Sequence, residues 1–231
     1  MIDKTISIEQ AITAVRDGHT VMVGGFGVPG TPFMLIDRLL AQGTRDLTLV
    51  KNEANEAGMG ISKLLEAGRV RTLIASHLGL NPTAVAMMNR REIKVELYPQ
   101  GILAEKIRAG GAGLLGIATD IGIDTILREK RQLVKMGDRE AILEPALRAD
   151  IALIHAAAAD RAGNLLFAKS ARNFCPLMAM AAERVIVETE TIVPIGSLDP
   201  DTVHLPGAFV DHIVVLDDLS EEYGVLPQHV L

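Results

Sequence analysis

The run Asp17-Gly18-His19-Thr20-Val21-Met22-Val23-Gly24-Gly25-Phe26-Gly27-Val28-Pro29-Gly30-Thr31-Pro32 empties an apolar segment into a glycine-rich turn. Four of the seven residues Gly24, Gly25, Phe26, Gly27, Val28, Pro29 and Gly30 are glycine. Without Cβ atoms, the backbone N–H groups of such a turn are open to close approach by a polyanion or by a carbonyl oxygen gaining charge. The chemistry on offer is anion binding or oxyanion stabilisation. Two neutral amides suit the same work: Asn52, just after the apolar run Leu47 to Val50, and Gln100, inside Pro99-Gln100-Gly101. Either can hydrogen-bond a carboxylate or thioester oxygen without adding charge. The turn around Ser76-His77 falls at an equivalent place.

Other catalytic arrangements find little in the chain. His19, His77, His155, His204, His212 and His229 show no close metal-ligand spacing, and the single cysteine, Cys175, cannot complete a zinc set. There is no G-x-S-x-G. Cys175 before Pro176 reads as a small buried side chain, because no adjacent base is suggested.

The elements that must position the turn and the amides alternate between helix and strand. Ser7 and Gln10 form a capping-box pattern over Ile8, Ala11, Ile12 and Val15, and Asp17-Gly18 stops that helix before a strand over Thr20 to Val23. Thr31 is expected to cap the next helix, with Pro32 in its first turn and Gly43 after its end. Strands follow over Leu47 to Val50, Val70 to Ala75 and Lys94 to Leu97, the last after a helix opened by Asn81-Pro82. Later strands are expected over Ile151 to Ile154, Leu165 to Phe167, Val185 to Val187 and Ile213 to Leu216. The rhythm predicts an α/β fold, a mostly parallel sheet covered by helices. Gln132 to Lys135 and Ala141 to Leu143 lie close together and predict an antiparallel insertion, a small hairpin lobe around 119–145. In parallel sheets ligands bind beyond the carboxyl ends of the strands, and that edge carries Gly24 to Gly30, Asn52, Ser76-His77 and Gln100.

Composition bounds the partners. With 231 residues, 48% of them hydrophobic, the chain is expected to form one domain over 1–231. A net charge of -6 with no Lys/Arg run argues against nucleic acid. The opening Met1-Ile2-Asp3-Lys4 is not followed by a signal-like apolar stretch, and no run of about eighteen apolar residues suggests a membrane span. A soluble, cytoplasmic protein is expected, and one cysteine agrees with a reducing compartment.

Gly25-Phe26-Gly27-Val28-Pro29-Gly30 also fits the dinucleotide fingerprint G-x-G-x-x-G, and Glu53 ends the next strand, where an acid would bind a ribose hydroxyl. An NAD(P)-dependent oxidoreductase is therefore a competing reading. Against it, Thr31-Pro32 points to a helix that starts after the last glycine, not inside the fingerprint.

Asp17 to Pro32 resembles the signature of the family I coenzyme A transferases: Asp-Gly, two variable residues, three apolar ones, Gly-Gly-Phe, three more, then Gly-x-Pro. Glu96-Leu97-Tyr98-Pro99-Gln100-Gly101 through Ala112-Gly113 is similar to the family's second block. Asp160-Arg161-Ala162-Gly163-Asn164-Leu165, Ala171-Arg172-Asn173-Phe174-Cys175-Pro176, and Leu198-Asp199-Pro200 through Pro206-Gly207 are similar to later ones. The likeness covers nearly the whole chain and belongs to the α subunit. Ile74 to Pro82 resembles the short-chain type, which moves CoA between acetate and acetoacetate, butyrate or similar acids.

The resemblance implies a ping-pong exchange with CoA as co-substrate and no permanently bound cofactor. A glutamate carboxylate attacks the acyl-CoA thioester, and the resulting anhydride gives an enzyme glutamyl-CoA thioester that the second acid opens. In the family this glutamate comes from a β subunit, usually in Ser-Glu-Asn-Gly, which this chain lacks. No catalytic residue is thus expected here, and an α2β2 assembly is. Glu56-Ala57-Gly58 and Glu66-Ala67-Gly68 share the Glu-x-Gly spacing, but Glu66 reads as a surface acid and the family does not use the position of Glu56. By resemblance, the Gly24 to Gly30 loop contacts CoA or the thioester, while Gln100, with Asn52 nearby, holds the substrate carboxylate. Glu105 and Arg108 read as a surface helix pair or as part of the subunit contact, and Arg172 with Asn173 as order in the later lobe. Thr119-Asp120-Ile121-Gly122-Ile123-Asp124-Thr125 departs from the family's Thr-Pro-Thr-Gly-x-Gly-Thr, which leaves the preferred acid open. A non-catalytic acyl-CoA-binding paralogue also fits the loop.

Overall fold

The computed structural model describes residues 2–225. In chain order its elements are α1 (Ile8–Ile12), β1 (Thr20–Val23), α2 (Phe33–Gln42), β2 (Leu47–Val50), α3 (Ile61–Glu66), β3 (Val70–Ala75), α4 (Pro82–Asn89), β4 (Lys94–Leu97), α5 (Gln100–Gly111) and β5 (Gly116–Thr119). There follow β6 (Gln132–Met136), β7 (Arg139–Pro145), β8 (Ala149–Asp160), β9 (Leu165–Leu166), α6 (Cys175–Ala181), β10 (Ala182–Val193) and β11 (His212–Val215), with a closing 3-10 turn over Glu221–Val225.

The main sheet runs β11-β10-β8-β1-β2-β3-β4 with every neighbouring pair parallel, and β9 pairs antiparallel with β8. Its inner strands are largely apolar on both faces because both faces are covered, whereas the edge strand β4 carries exposed Lys94 and half-buried Glu96. Val21, Val23, Leu49, Leu73, Ile151 and Leu153 pack with α1 to α4, while Met22, Val50, Ile74, Ala152 and Ile154 pack with α5 and α6. A separate antiparallel sheet, β5-β7-β6, follows α5. Among the described residues no helix is long and apolar enough to cross a membrane.

β1 to β4 have the bounds that the sequence predicts. Several other expectations are corrected. The capping box of Ser7 and Gln10 forms, but α1 ends at Ile12, so Val15 is buried from the loop that follows. The predicted hairpin gains a third strand, β5, whose sequence Gly-Ile-Ala-Thr opens on a glycine and carries one large apolar residue, so it does not stand out. β8 and β10 run for 12 residues each, past the predicted segments, because they pair along almost their whole length. β9 is only two residues long.

Candidate functional site

The glycine turn leaves β1 at its carboxyl end, and the carbonyl oxygens of Gly27, Val28 and Pro29 are tied down. Gly27 O accepts from the Thr31 hydroxyl (2.7 Å) and from Asn55 Nδ2 (3.0 Å). Pro29 O accepts from Phe26 N (3.1 Å) and Asn173 Nδ2 (2.9 Å), and Val28 O from Thr31 N (3.1 Å). By contrast, the N–H groups of Gly27, Val28 and Gly30 make no backbone hydrogen bond among the described residues. The turn is thus fixed through its acceptors and keeps donors for a ligand. At Gly27, where φ is +63°, a Cβ would meet nothing within 4 Å, so this side is open.

Thr31 does not cap α2. Its hydroxyl turns back to Gly27, and the cap position falls to Pro32, which has no side-chain hydrogen bond to offer. The first amides of α2 meet a carboxylate from within: Glu188 Oε2 accepts from Leu35 N at 2.8 Å, and Met34 N–H also points at it. The positive end of this helix is therefore already matched, and anion binding at the turn rests on the loop N–H groups alone.

Glu188 is fully buried and sits 3.1 Å from Nδ1 of buried His155, whose Nε2 lies 3.0 Å from Glu190. Burial disfavours charge on His155, but hydrogen bonds to the two carboxylates and their negative charge outweigh it and raise its pKa above 6.5. Burial likewise pushes Glu188 above the usual carboxylate range, against the pull of His155 and the α2 amides. Tyr223, from the closing turn, packs its ring on His155 and Phe33 and donates its hydroxyl to Thr31 O. Burial, then the neighbouring Glu188 charge, pushes that hydroxyl's pKa upward, so it remains a donor. Glu222 accepts from Gly60 N at 2.7 Å and pairs with Lys63 at 2.6 Å. The end of the described chain thus fastens the exits of two loops.

Beside the turn, Gln100 and Asn52 come together. Gln100 is the first residue of α5, not a loop residue, and its Nε2 donates to Asn52 Oδ1 at 2.8 Å. Asn52 is wholly buried, whereas Gln100 is exposed. Ser76 Oγ donates to Asn52 O (2.8 Å) and reaches Asn52 Oδ1 (3.1 Å) and His77 Nδ1 (3.0 Å). Asn55, three residues on from Asn52 in the loop after β2, ties that loop to the turn, because it holds Gly27 O while its own Oδ1 accepts from Ile61 N. A cavity of about 450 Å³ lined by Thr20, Arg148, Asp150 and Glu183 lies at the other end of the strands and contains none of these residues.

The remaining candidates separate clearly. Glu105 and Arg108 pair on the surface at 2.8 Å. Glu66 is exposed and accepts from Gly58 N and Ser62, and Glu56 is exposed in the loop after β2. Cys175 is buried against Gly30 O and Ala171 O, and burial pushes its thiol up to about 11, which leaves it a poor nucleophile. Arg172 is exposed, and Asn173 orders its own segment, donating to Ser170 O and accepting from Phe174 N, while it also donates to Pro29 O of the glycine turn. Asp120 pairs with Arg139, whereas Asp124 is exposed. Met1 and His229 lie outside the described residues. Sequence reasoning missed Asn55, Ser76 as a partner of Asn52, and Tyr223; Asn55 alone left a local signal, as an asparagine three residues after Asn52 in the same loop.

A mostly parallel sheet covered by helices, with a small antiparallel sheet beside it, defines an α/β protein whose candidate site is the carboxyl edge that carries the donor loop and the paired amides. The dinucleotide reading gains no support, because α2 starts three residues past Gly30 and Glu53 is buried with both oxygens taken by Lys51 and Asn52. A model of the coenzyme A transferase family matches residues 5–216, and the chain belongs to that family. It is 49% identical over 212 residues to the probable coenzyme A transferase subunit alpha of Bacillus subtilis, covering 91% of this chain and 93% of that one. It is 46% identical over 215 residues to the acetate CoA-transferase subunit alpha of Escherichia coli, covering 93% and 98%. Among solved structures, an acyl-CoA transferase from Escherichia coli O157:H7, in a thioester complex with CoA, superposes with a TM-score of 0.85 at 26% identity. That match takes in 96% of this chain and 48% of the larger one, so the chain spans about half its length.

Proposed function

We propose that this chain is the α subunit of a heteromeric CoA-transferase. It exchanges CoA between a short-chain acyl-CoA and a carboxylic acid of the acetate, acetoacetate or butyrate class. The observation that carries this reading is the placement of the donor loop Gly24 to Gly30 and the Gln100–Asn52 amide pair at the same carboxyl edge of the sheet, beyond β1, β2 and β4. The E. coli relative named for acetate supports the class of acid, and the relatives named as subunits support a β partner.

In this reading a β-subunit glutamate, already ionised at neutral pH, attacks the thioester carbonyl and expels the CoA thiolate. The thiolate then attacks the enzyme acyl of the anhydride, releasing the first acid and leaving glutamyl-CoA. The second acid opens that thioester by the same steps in reverse. A carboxylate is a weak nucleophile, so the chain's part is positioning and charge stabilisation. The free N–H groups of the loop face CoA or the developing oxyanion. Gln100 has one Nε2 hydrogen on Asn52 and a second for the substrate carboxylate. The assembly is α2β2 and cytoplasmic.

The test is to recover the tagged chain from its host, identify any stoichiometric companion, and assay the complex for CoA exchange between labelled acetate and a panel of acyl-CoAs. A companion bearing the glutamate together with exchange supports the reading and gives the acid preference. A lone, inactive chain overturns it.

A further inference from the structure

The polarity of the Gln100 amide is set from inside the protein, and we propose that Glu53, held by Lys51, is the positioning residue that sets it. Three of the groups around the Asn52 side chain could act in either sense. The Ser76 hydroxyl donates or accepts, and the Asn52 and Gln100 carboxamides each present an oxygen or an NH₂ by a half-turn. An ionised carboxylate only accepts, and an ammonium only donates. Lys51 Nζ donates to Glu53 Oε1 at 2.8 Å, with both side chains shielded from solvent. Glu53 Oε2 lies 2.6 Å from Asn52 Nδ2, so the Asn52 NH₂ must face inward and its Oδ1 outward. Gln100 then has to answer that oxygen with Nε2, at 2.8 Å. The order Lys51, Glu53, Asn52, Gln100 is a relay of fixed direction that ends on an exposed carboxamide.

This inference rests on the proposed role of Gln100 in holding a carboxylate. If the relay turned over, the Gln100 oxygen would bond inward and both N–H groups would swing to a new place. The charged pair sits one residue to either side of Asn52, at the end of β2 where the backbone is pinned by Lys51 N to Ile74 O and Ser76 N to Asn52 O. The main chain therefore does not shift to accommodate a turned amide, and the side-chain polarity decides.

Two double variants of the chain in complex with its companion subunit separate polarity from packing. Lys51→Met/Glu53→Gln keeps the size of both side chains but removes both charges, and its carboxamide can face Asn52 with either end. Lys51→Met/Glu53→Leu removes the acceptor as well. Both replace a buried ion pair with neutral side chains of similar size, a change that folds commonly tolerate. We expect both variants to raise KM for the acceptor acid, the Leu variant by about tenfold, with kcat changed by less than about threefold. Solvent exchange of the ¹⁵N-labelled Gln100 side-chain amide gives a readout that needs no activity, with protection of one hydrogen lost in both variants. If the Gln variant keeps the KM and the amide protection of the unaltered protein, the relay is overturned. Gln100→Leu is the control for the underlying reading. Should it leave KM for the acid unchanged, the role of Gln100 fails, and amide exchange alone still decides for or against the relay.

Discussion

Replacing Glu188 with Gln keeps the shape of the side chain and removes one buried charge. The carboxylate accepts from Leu35 N and Met34 N–H on one side and faces His155 Nδ1 on the other. A carboxamide has one oxygen, so either the first amides of α2 or the imidazole must then face an NH₂. Breaking a buried ion pair from one side costs about 3–5 kcal/mol, and hydrogen bonds to a charged group contribute about 1.5–3 kcal/mol. Because Gln preserves half of the contacts, we take the low end, about 3 kcal/mol. For a chain of this size that is a fall of roughly 6–12 °C in Tm. The pH dependence carries the sharper test. His155 has a folded pKa above 6.5, so its stabilisation is fully present below that value and is lost as pH rises through the folded pKa. The variant leaves His155 only the Glu190 carboxylate, so it gains less from protonation. Chemical denaturation of both proteins across the range from about pH 6 to 9 should therefore show the gap narrowing as pH rises. A gap below about 1 kcal/mol that stays constant with pH would falsify the assignment of this cluster as a charged anchor of α2.

Gly30→Ala places a Cβ 2.4 Å from Ala171 O at a φ of +79°, so thermal melting should report a loss of about 1–3 kcal/mol, and an unchanged Tm would mean the turn can shift. Tyr223→Phe keeps the rings against Phe33 and His155 but loses the hydroxyl on Thr31 O. It should cost about 1 kcal/mol and speed backbone hydrogen exchange at Thr31, and equal exchange in both proteins would remove Tyr223 from the loop's support. Asp160 is pushed upward by burial yet held below its ordinary 3.8 by hydrogen bonds from Asn164, Gly196 and Ala162. Its contribution is present above that value and lost as pH falls, so Asp160→Asn should flatten the acid limb of the stability curve, and an unaltered limb counts against this cause.

The first half of the sheet is legible because each of β1 to β3 is a mostly apolar run closed by turn residues, β4 alternates Lys94 and Glu96 with Val95 and Leu97, and short local helices join them. The long strands β8 and β10 are not. Their inner halves carry His155 and Glu188, which look like surface residues until they satisfy one another across the sheet, and Thr189, whose hydroxyl donates to Thr191 O. Asn52 and Gln100 stand on the right edge, since parallel strands deliver their carboxyl ends there, but the bond between them spans 48 positions and leaves no local pattern. Thr31 shows two uses of one hydroxyl in competition: capping the next helix, or bonding back to the turn it leaves. The supports of the loop, Asn173 and Tyr223, come from 144 and 192 positions away from the residues they hold.

The strand order also sets a timetable for synthesis. β1 is the first strand to emerge, and it ends in the middle of the sheet, between β2 and β8. Its pairing with β2 is available early, but Val21 waits for Ile151, which is 130 positions further on. At about 5–20 residues per second, the flank of β1 that faces β8 stays unpaired for roughly 6 to 26 s on the ribosome. During that interval the nascent chain exposes an apolar strand edge of the kind that recruits other strands. Fast translation, or a chaperone that shields this edge, should therefore matter more to the yield of this protein than to its final stability.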